Sequence, residues 1–363
     1  MTLSPNILQL YSQQTNYTIF GISWIPNSAR VLSVGMAARG TGIISVWNFD
    51  DQKLVEQSRH EKQSALKCVT FGASLAPSRT FGTGDHDGNL FTFDIENLQK
   101  PQFHVKAHQS MIHCVDGIGG RNFTQIGAPE IASGSSDGFV KLWDVRQPQP
   151  VLEFTSSVDS ETRTQIDRDK MLVSKPEAWC VALGGASSTS DRYLLAGFDS
   201  GDIKAIDLRM MKVCWEHHLP NGIVSMEFDR QDTKLNKLTV GTLEGHTYCF
   251  DLVNGFEKAS IVDQKFFGDS STIWQVRHSP FNRDVFAVTG GSKIGIAKYD
   301  YPKERSIEDK TIAGKLEMKT DAVVSTQTCQ SMCWSREKNG LLAWGSMDQT
   351  VNVGYVTNMK SLE

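Results

Sequence analysis

Hydrophobic and polar residues alternate with a period of two in short runs along this chain. In ASGSSDGFVKLWDVRQ (132–147), Val140-Lys141-Leu142-Trp143 sends side chains to two faces in turn, as a half-buried strand does. Ser136-Asp137-Gly138 supplies turn chemistry just ahead of it, and Trp143-Asp144 ends the strand. The same order of strand, glycine, turn, alternating strand and terminal acid recurs in FGTGDHDGNLFTFD (81–94), LAGFDSGDIKAID (195–207) and TVGTLEGHTYCFD (239–251). Weaker copies are VTGGSKIGIAKYD (288–300), AWGSMDQTVNVGY (343–355) and ARGTGIISVWN (38–48).

The turn glycines or their equivalents fall at 42, 88, 138, 201, 245, 294 and 349, giving intervals of 46, 50, 63, 44, 49 and 55 residues. Seven copies at this period predict seven four-stranded blades around an axis, a β-propeller. An inner strand is expected ahead of each turn: FGISW, KCVTF, HCVDG, WCVAL, VSMEF, WQVRH and QSMCW. A fourth strand follows the first six copies (KLVEQS, FHVKAH, VLEFTS, KVCWEHH, KASIVD, KLEMKT), but the seventh ends at TNMKSLE. NILQLYS (6–12) is free to supply that strand to the blade made by 329–356, which closes the ring and protects its edges. The expectation is an all-β chain, residues 1–363 forming one seven-bladed propeller closed by an N-terminal strand in the last blade.

Composition narrows the partners. With 363 residues, 39% hydrophobic, 21% charged and a net charge of -4, the chain gives no electrostatic reason to expect nucleic acid or a membrane surface. No window approaches a membrane span, and the start lacks a basic, apolar leader pattern. Seven cysteines without a CxxC pair read as free thiols in a reducing, cytoplasmic setting.

His108, Ser133, Asp137 and Trp143 are expected to meet inside the third blade as a structural hydrogen-bonded set. Ser, His and Asp invite a hydrolase reading, but no nucleophile turn or oxyanion loop accompanies them. The same slots recur imperfectly in blade two as His60, Thr83, Asp87 and Phe93, which suits a structural device better than a catalytic one. Cys68, Cys114 and Cys180 share one register of the inner strand and read as small apolar residues between blades. His217-His218 and Cys329/Cys333 lack zinc spacing, DGIGG (116–120) lacks the rest of a phosphate loop, and NFT (122–124) lacks a secretory context. No catalytic residue, metal ligand or cofactor is expected.

Two polar stretches break the repeat, 156–177 and 301–320, and read either as solvated loops or as part of a docking surface. A sharper candidate is the residue just before each inner-strand core: Phe20, Lys67, His113, Trp179, Val224, Trp274 and Gln330. These positions fall near the mouth of the central channel. Phe20, Lys67, His113, Trp179 and Trp274 around one opening have the composition of an interaction hot spot, with inter-blade packing of the tryptophans as the plainer alternative.

The motifs NYTIF, SWIPNSA, ARGTG, KCVTFGA, DGIGG, GAPEIASGSSDGFVKLWDVRQ, SGDIKAIDLR, NGIVSMEFDRQDTKLNKL and STIWQVRHSPFNRDVFAVTGG resemble the Monad family of WD-repeat proteins, from about residue 16 to residue 350. The resemblance implies a cytoplasmic, non-enzymatic factor for pre-assembly of axonemal dynein arms. It further implies partners among RuvB-like ATPases, prefoldin-like co-chaperone subunits and axonemal dynein heavy chains, with this chain as a monomer in a larger assembly. The longer polar stretch after Phe154 departs from the family pattern. The alternative is a substrate receptor of a cullin-RING ubiquitin ligase, docked through Trp143, Asp144 and Arg146 of KLWDVR, with AIDLR (205–209) a weaker copy.

Overall fold

The computed structural model describes residues 4–362 except 51–52, 75–77, 120–129, 157–174, 189–191, 269–270 and 309. Seven four-stranded antiparallel sheets follow one another along the chain. Their inner strands are Tyr17–Trp24, Leu66–Thr70, Ile112–Asp116, Ala178–Gly184, Ile223–Phe228, Ile273–His278 and Cys329–Trp334. Each inner strand touches the next and the last touches the first, so the sheets form a closed ring of seven blades.

One blade alone leaves both of its apolar faces in water, and stacking against neighbours is what buries them. The core is accordingly divided among the seams. Leu32, Val34 and Val46 of blade one pack with Leu66, Phe81 and Phe93 of blade two, and Ala182, Leu195 and Ala205 of blade four pack with Ile223, Leu238 and Phe250 of blade five. The recurring glycine of the second strand is explained at these seams. A Cβ on Gly197 would lie 2.5 Å from Ile223 Cγ2 and 2.7 Å from Cys180 Sγ, and one on Gly84 would lie 2.5 Å from Ile112 Cγ2. Any side chain there would push the next blade away.

Blade seven consists of Cys329–Trp334, Leu341–Ser346 and Thr350–Val356 with Ile7–Gln14 as its outer strand. The register runs from Ile7 opposite Val356 to Gln14 opposite Thr350, and Gln9 Nε2 donates to Asn352 Oδ1 at 2.9 Å. The closing strand expected from the seventh copy's lack of a fourth strand is therefore present. The C-terminal tail does more than stop. Met359–Leu362 forms a 3-10 turn that buries Met359 and Leu362 in the same cluster as Ile7 and Trp334.

Three local expectations are corrected. The left-handed turn residues of blades one and six are Gly40 (φ +80°) and Gly291 (φ +56°), not positions 42 and 294. Gly42 instead opens the third strand of blade one. The stretch 301–320 is not one solvated insertion, because Lys315–Val323 is the outer strand of blade six, as KLEMKT predicts, and the preceding segment docks on blade five. There Arg305 Nε donates to Asp251 Oδ2 at 2.7 Å and its Nη2 donates to Asn236 Oδ1 at 2.6 Å. The other stretch, 156–177, lies outside the described residues between 157 and 174.

Candidate functional site

In all seven blades the pairing between inner and second strand slips by one residue at the same place. The slips lie between Ile19/Gly21, Leu66/Cys68, Ile112/Cys114, Ala178/Cys180, Ile223/Ser225, Ile273/Gln275 and Cys329/Ser331. The residues left unpaired are Phe20, Lys67, His113, Trp179, Val224, Trp274 and Gln330. A bulge of this kind re-aims the extra side chain, and here all seven line the central channel, a cavity of about 830 Å³. Each is half-buried.

The rim splits into two chemically distinct arcs. On the seam of blades one and two, the Lys67 ammonium sits 4.4 Å from the centre of the Phe20 ring, whose other neighbour is the His86 imidazole, stacked at 5.8 Å. Burial lowers the Lys67 pKa from its ordinary value, so the lysine is not the freely exposed charge its sequence position suggests. On blades three and four, the Glu177 carboxylate accepts from Trp179 Nε1 at 2.8 Å and lies 2.9 Å from His113 Nε2. Burial lowers the His113 pKa, with Glu177 opposing that shift. The rings of His113 and Trp179 meet at 5.8 Å. Sequence reasoning missed His86 and Glu177, although Glu177 stands two residues before Trp179, the spacing that returns a strand to the same face.

Inside blade three, His108 Nδ1 lies 3.1 Å from Asp137 Oδ2, His108 Nε2 lies 2.8 Å from Ser133 Oγ, and Trp143 Nε1 donates to Ser133 Oγ at 2.9 Å. Every group is satisfied when the indole donates to the serine, the serine to Nε2, and Nδ1–H to the carboxylate. Burial would raise the Asp137 pKa, but His108 and the amides of Gln109 and Phe139 outweigh it and hold the carboxyl down to about 2. The connectivity is that of a hydrolytic triad, yet Ser133 is fully buried and its oxygen is already occupied by the indole. Such a serine cannot meet a substrate. The counterpart in blade two differs from the sequence expectation. His60 lies on the outer strand opposite Ile44, and Lys62 takes the His108 slot, its Nζ 4.5 Å from the centre of the Phe93 ring.

The inner-strand thiols are equally inert. Burial pushes Cys68 up to about 12 and raises Cys114 and Cys180 as well, which keeps them protonated and unreactive. Among the described residues no group of three or more His, Cys, Asp or Glu side chains is placed to hold a metal ion. Among the described residues no helix is long and apolar enough to cross a membrane. At the end of KLWDVR, Arg146 Nε turns back to donate to Asp144 Oδ1 at 2.8 Å, and the Arg146 amide donates to the same carboxylate. That is the geometry of a blade corner closing on itself, and the ligase-adaptor alternative gains no support from it.

No protein-family model matches the chain. Individual relatives do, over nearly their whole length. Dynein axonemal assembly factor 10 of Xenopus tropicalis is 39% identical over 366 residues, covering 99% of this chain and 98% of the relative. The human protein of that name is 37% identical over 364 residues and that of Chlamydomonas reinhardtii 36% over 368, each with the same coverage. Agreement of this extent leaves no blade of the propeller without its counterpart, and the chain belongs to the dynein axonemal assembly factor 10 family.

Proposed function

We propose that this protein is a non-enzymatic, cytoplasmic adaptor in the pre-assembly of axonemal dynein arms. It binds partly assembled dynein heavy chains, or the RuvB-like ATPases and prefoldin-like co-chaperones that handle them, through the channel rim. Family membership supports the process, and one observation supports the face: seven bulges, one per blade, turn Phe20, Lys67, His113, Trp179, Val224, Trp274 and Gln330 into a single ring. A strand bulge interrupts its ladder, and repeating that interruption seven times gathers seven released side chains at one opening, where a partner can reach them together. The rim carries two indoles, and recessed aromatic anchors of that kind contribute about 2 kcal/mol or more each at interfaces.

The test is capture of dynein heavy chains and co-chaperones from a ciliated-cell extract. Val224→Glu adds a charge to the half-buried rim without removing an indole, and Trp274→Ala removes one, each checked for folding by thermal melt. Both folded variants should capture at least about tenfold less, the loss expected of a central interface residue. Undiminished capture by folded Val224→Glu would remove the rim from the reading. Intact outer and inner arms in a full knockout would remove the function itself.

A further inference from the structure

The two arcs of the rim are not balanced in charge. The His113 arc holds its own carboxylate in Glu177, with Asp199 beside it accepting the Glu177 amide at 2.9 Å. The Lys67 arc holds none. Among the described residues Lys67 makes no ion pair, and its ammonium rests on the Phe20 ring in the lining of the channel. A further polar atom at this corner is buried without a partner, His86 Nε2 on the imidazole stacked against the same Phe20 ring. The nearby carboxylates do not supply what is missing. Asp85 accepts from the Asn89 amide at 2.7 Å and from its side-chain Nδ2 at 2.8 Å, and Asp87 is exposed in the turn beyond. A half-buried ammonium and an unpaired imidazole nitrogen, both against the Phe20 ring, form a corner that lacks an anion.

We propose that this corner, formed by Lys67, His86 and Phe20, receives an aspartate or glutamate side chain on a peptide segment of the partner protein. The carboxylate pairs with Lys67 and His86 Nε2–H. An acidic peptide satisfies both orphaned groups, whereas a cationic or purely apolar segment leaves the ammonium unpaired. Burial already lowers the Lys67 pKa, so the unliganded rim carries the cost of an unpaired charge that binding relieves. The inference rests on the channel rim being the docking face.

The experiment uses the full chain and fluorescein-labelled decaglutamate, with labelled decaserine as the neutral probe. Decaglutamate should bind the wild type, decaserine should not, and Lys67→Met should weaken the acidic probe by at least about tenfold, as expected for a charge pair shielded from water. Lys67→Arg should retain binding, and Lys100→Met, at an exposed site, should leave it unchanged. Lys67→Met should also melt at or above the wild-type temperature, since it removes an unpaired ammonium and keeps an apolar stem over Phe20. Equal binding by folded Lys67→Met, or no binding to the wild type, overturns the inference. Displacement of the probe by millimolar inorganic phosphate overturns it in favour of a free-anion site. Heavy-chain capture that is lost in Val224→Glu but kept in Lys67→Met sinks this inference alone and leaves the proposed function standing.

Discussion

Replacing Asp137 with alanine probes the blade-three network at its most connected member. The carboxylate accepts from His108 Nδ1 at 3.1 Å, the Gln109 amide at 2.9 Å and the Phe139 amide at 3.0 Å, with its side chain only 12% exposed. Truncation strands the buried His108 donor, at about 1–3 kcal/mol, and weakens the turn that the Phe139 amide closes, at about 1 kcal/mol. The same contacts, expressed through the ionisation of the carboxyl, give a similar size. The fall of the Asp137 pKa from 3.8 to about 2 corresponds to about 2 kcal/mol of preferential stabilisation of the charged form in the folded chain. Taking about 3 kcal/mol, and an unfolding entropy of about 2.1 cal/mol/K per residue, a chain of 363 residues should lose about 4 °C in melting midpoint. The pH dependence has a definite sign. A depressed carboxyl pKa stabilises fully above 3.8 and is lost as pH falls towards 2, so the wild-type midpoint should drop over that window more steeply than that of Asp137→Ala. Differential scanning fluorimetry at pH 7 and across the acid limb measures both. A loss under about 1 °C, or strictly additive effects of Asp137→Ala and His108→Ala in a double-mutant cycle, would refute the network.

Two further outcomes follow from the seams and the closure. Gly197→Ala places a methyl 2.5 Å from Ile223 Cγ2, so it should destabilise by about 1–3 kcal/mol, and a neutral result in a urea titration would show that blades four and five are not held at this distance. Deleting residues 1–14 removes the partner of Thr350–Val356 and should both lower the midpoint and raise light scattering, because an apolar edge is left unpaired. Deleting 358–363 should lower the midpoint through loss of the buried Met359 and Leu362 without that increase in scattering, and equal scattering from the two truncations would count against the closure.

The pattern of alternation and its period determined the architecture without help from the coordinates. Each copy carries a turn glycine or its equivalent, an alternating strand such as Val140–Trp143 and an inner strand such as WCVAL, so blade count and order follow from local chemistry. The closing strand was legible too, since a seventh blade without a fourth strand leaves an edge that 6–12 is able to cover. The rim positions were found for a similar reason, being the residue ahead of the inner-strand core in every copy. What stayed hidden depends on neighbours across a seam. His60 and Lys62 differ by two residues and therefore point to the same face, so alternation could not say which one meets Phe93. Arg305 reads as one charge in a polar run, yet its partner Asp251 lies 54 residues back on blade five. Lys67 reads as a surface lysine, and only the approach of blade one, which brings Phe20 to 4.4 Å, draws its charge out of water. Periodicity is a property of one strand, whereas burial and pairing of charge are decided by the blade packed against it.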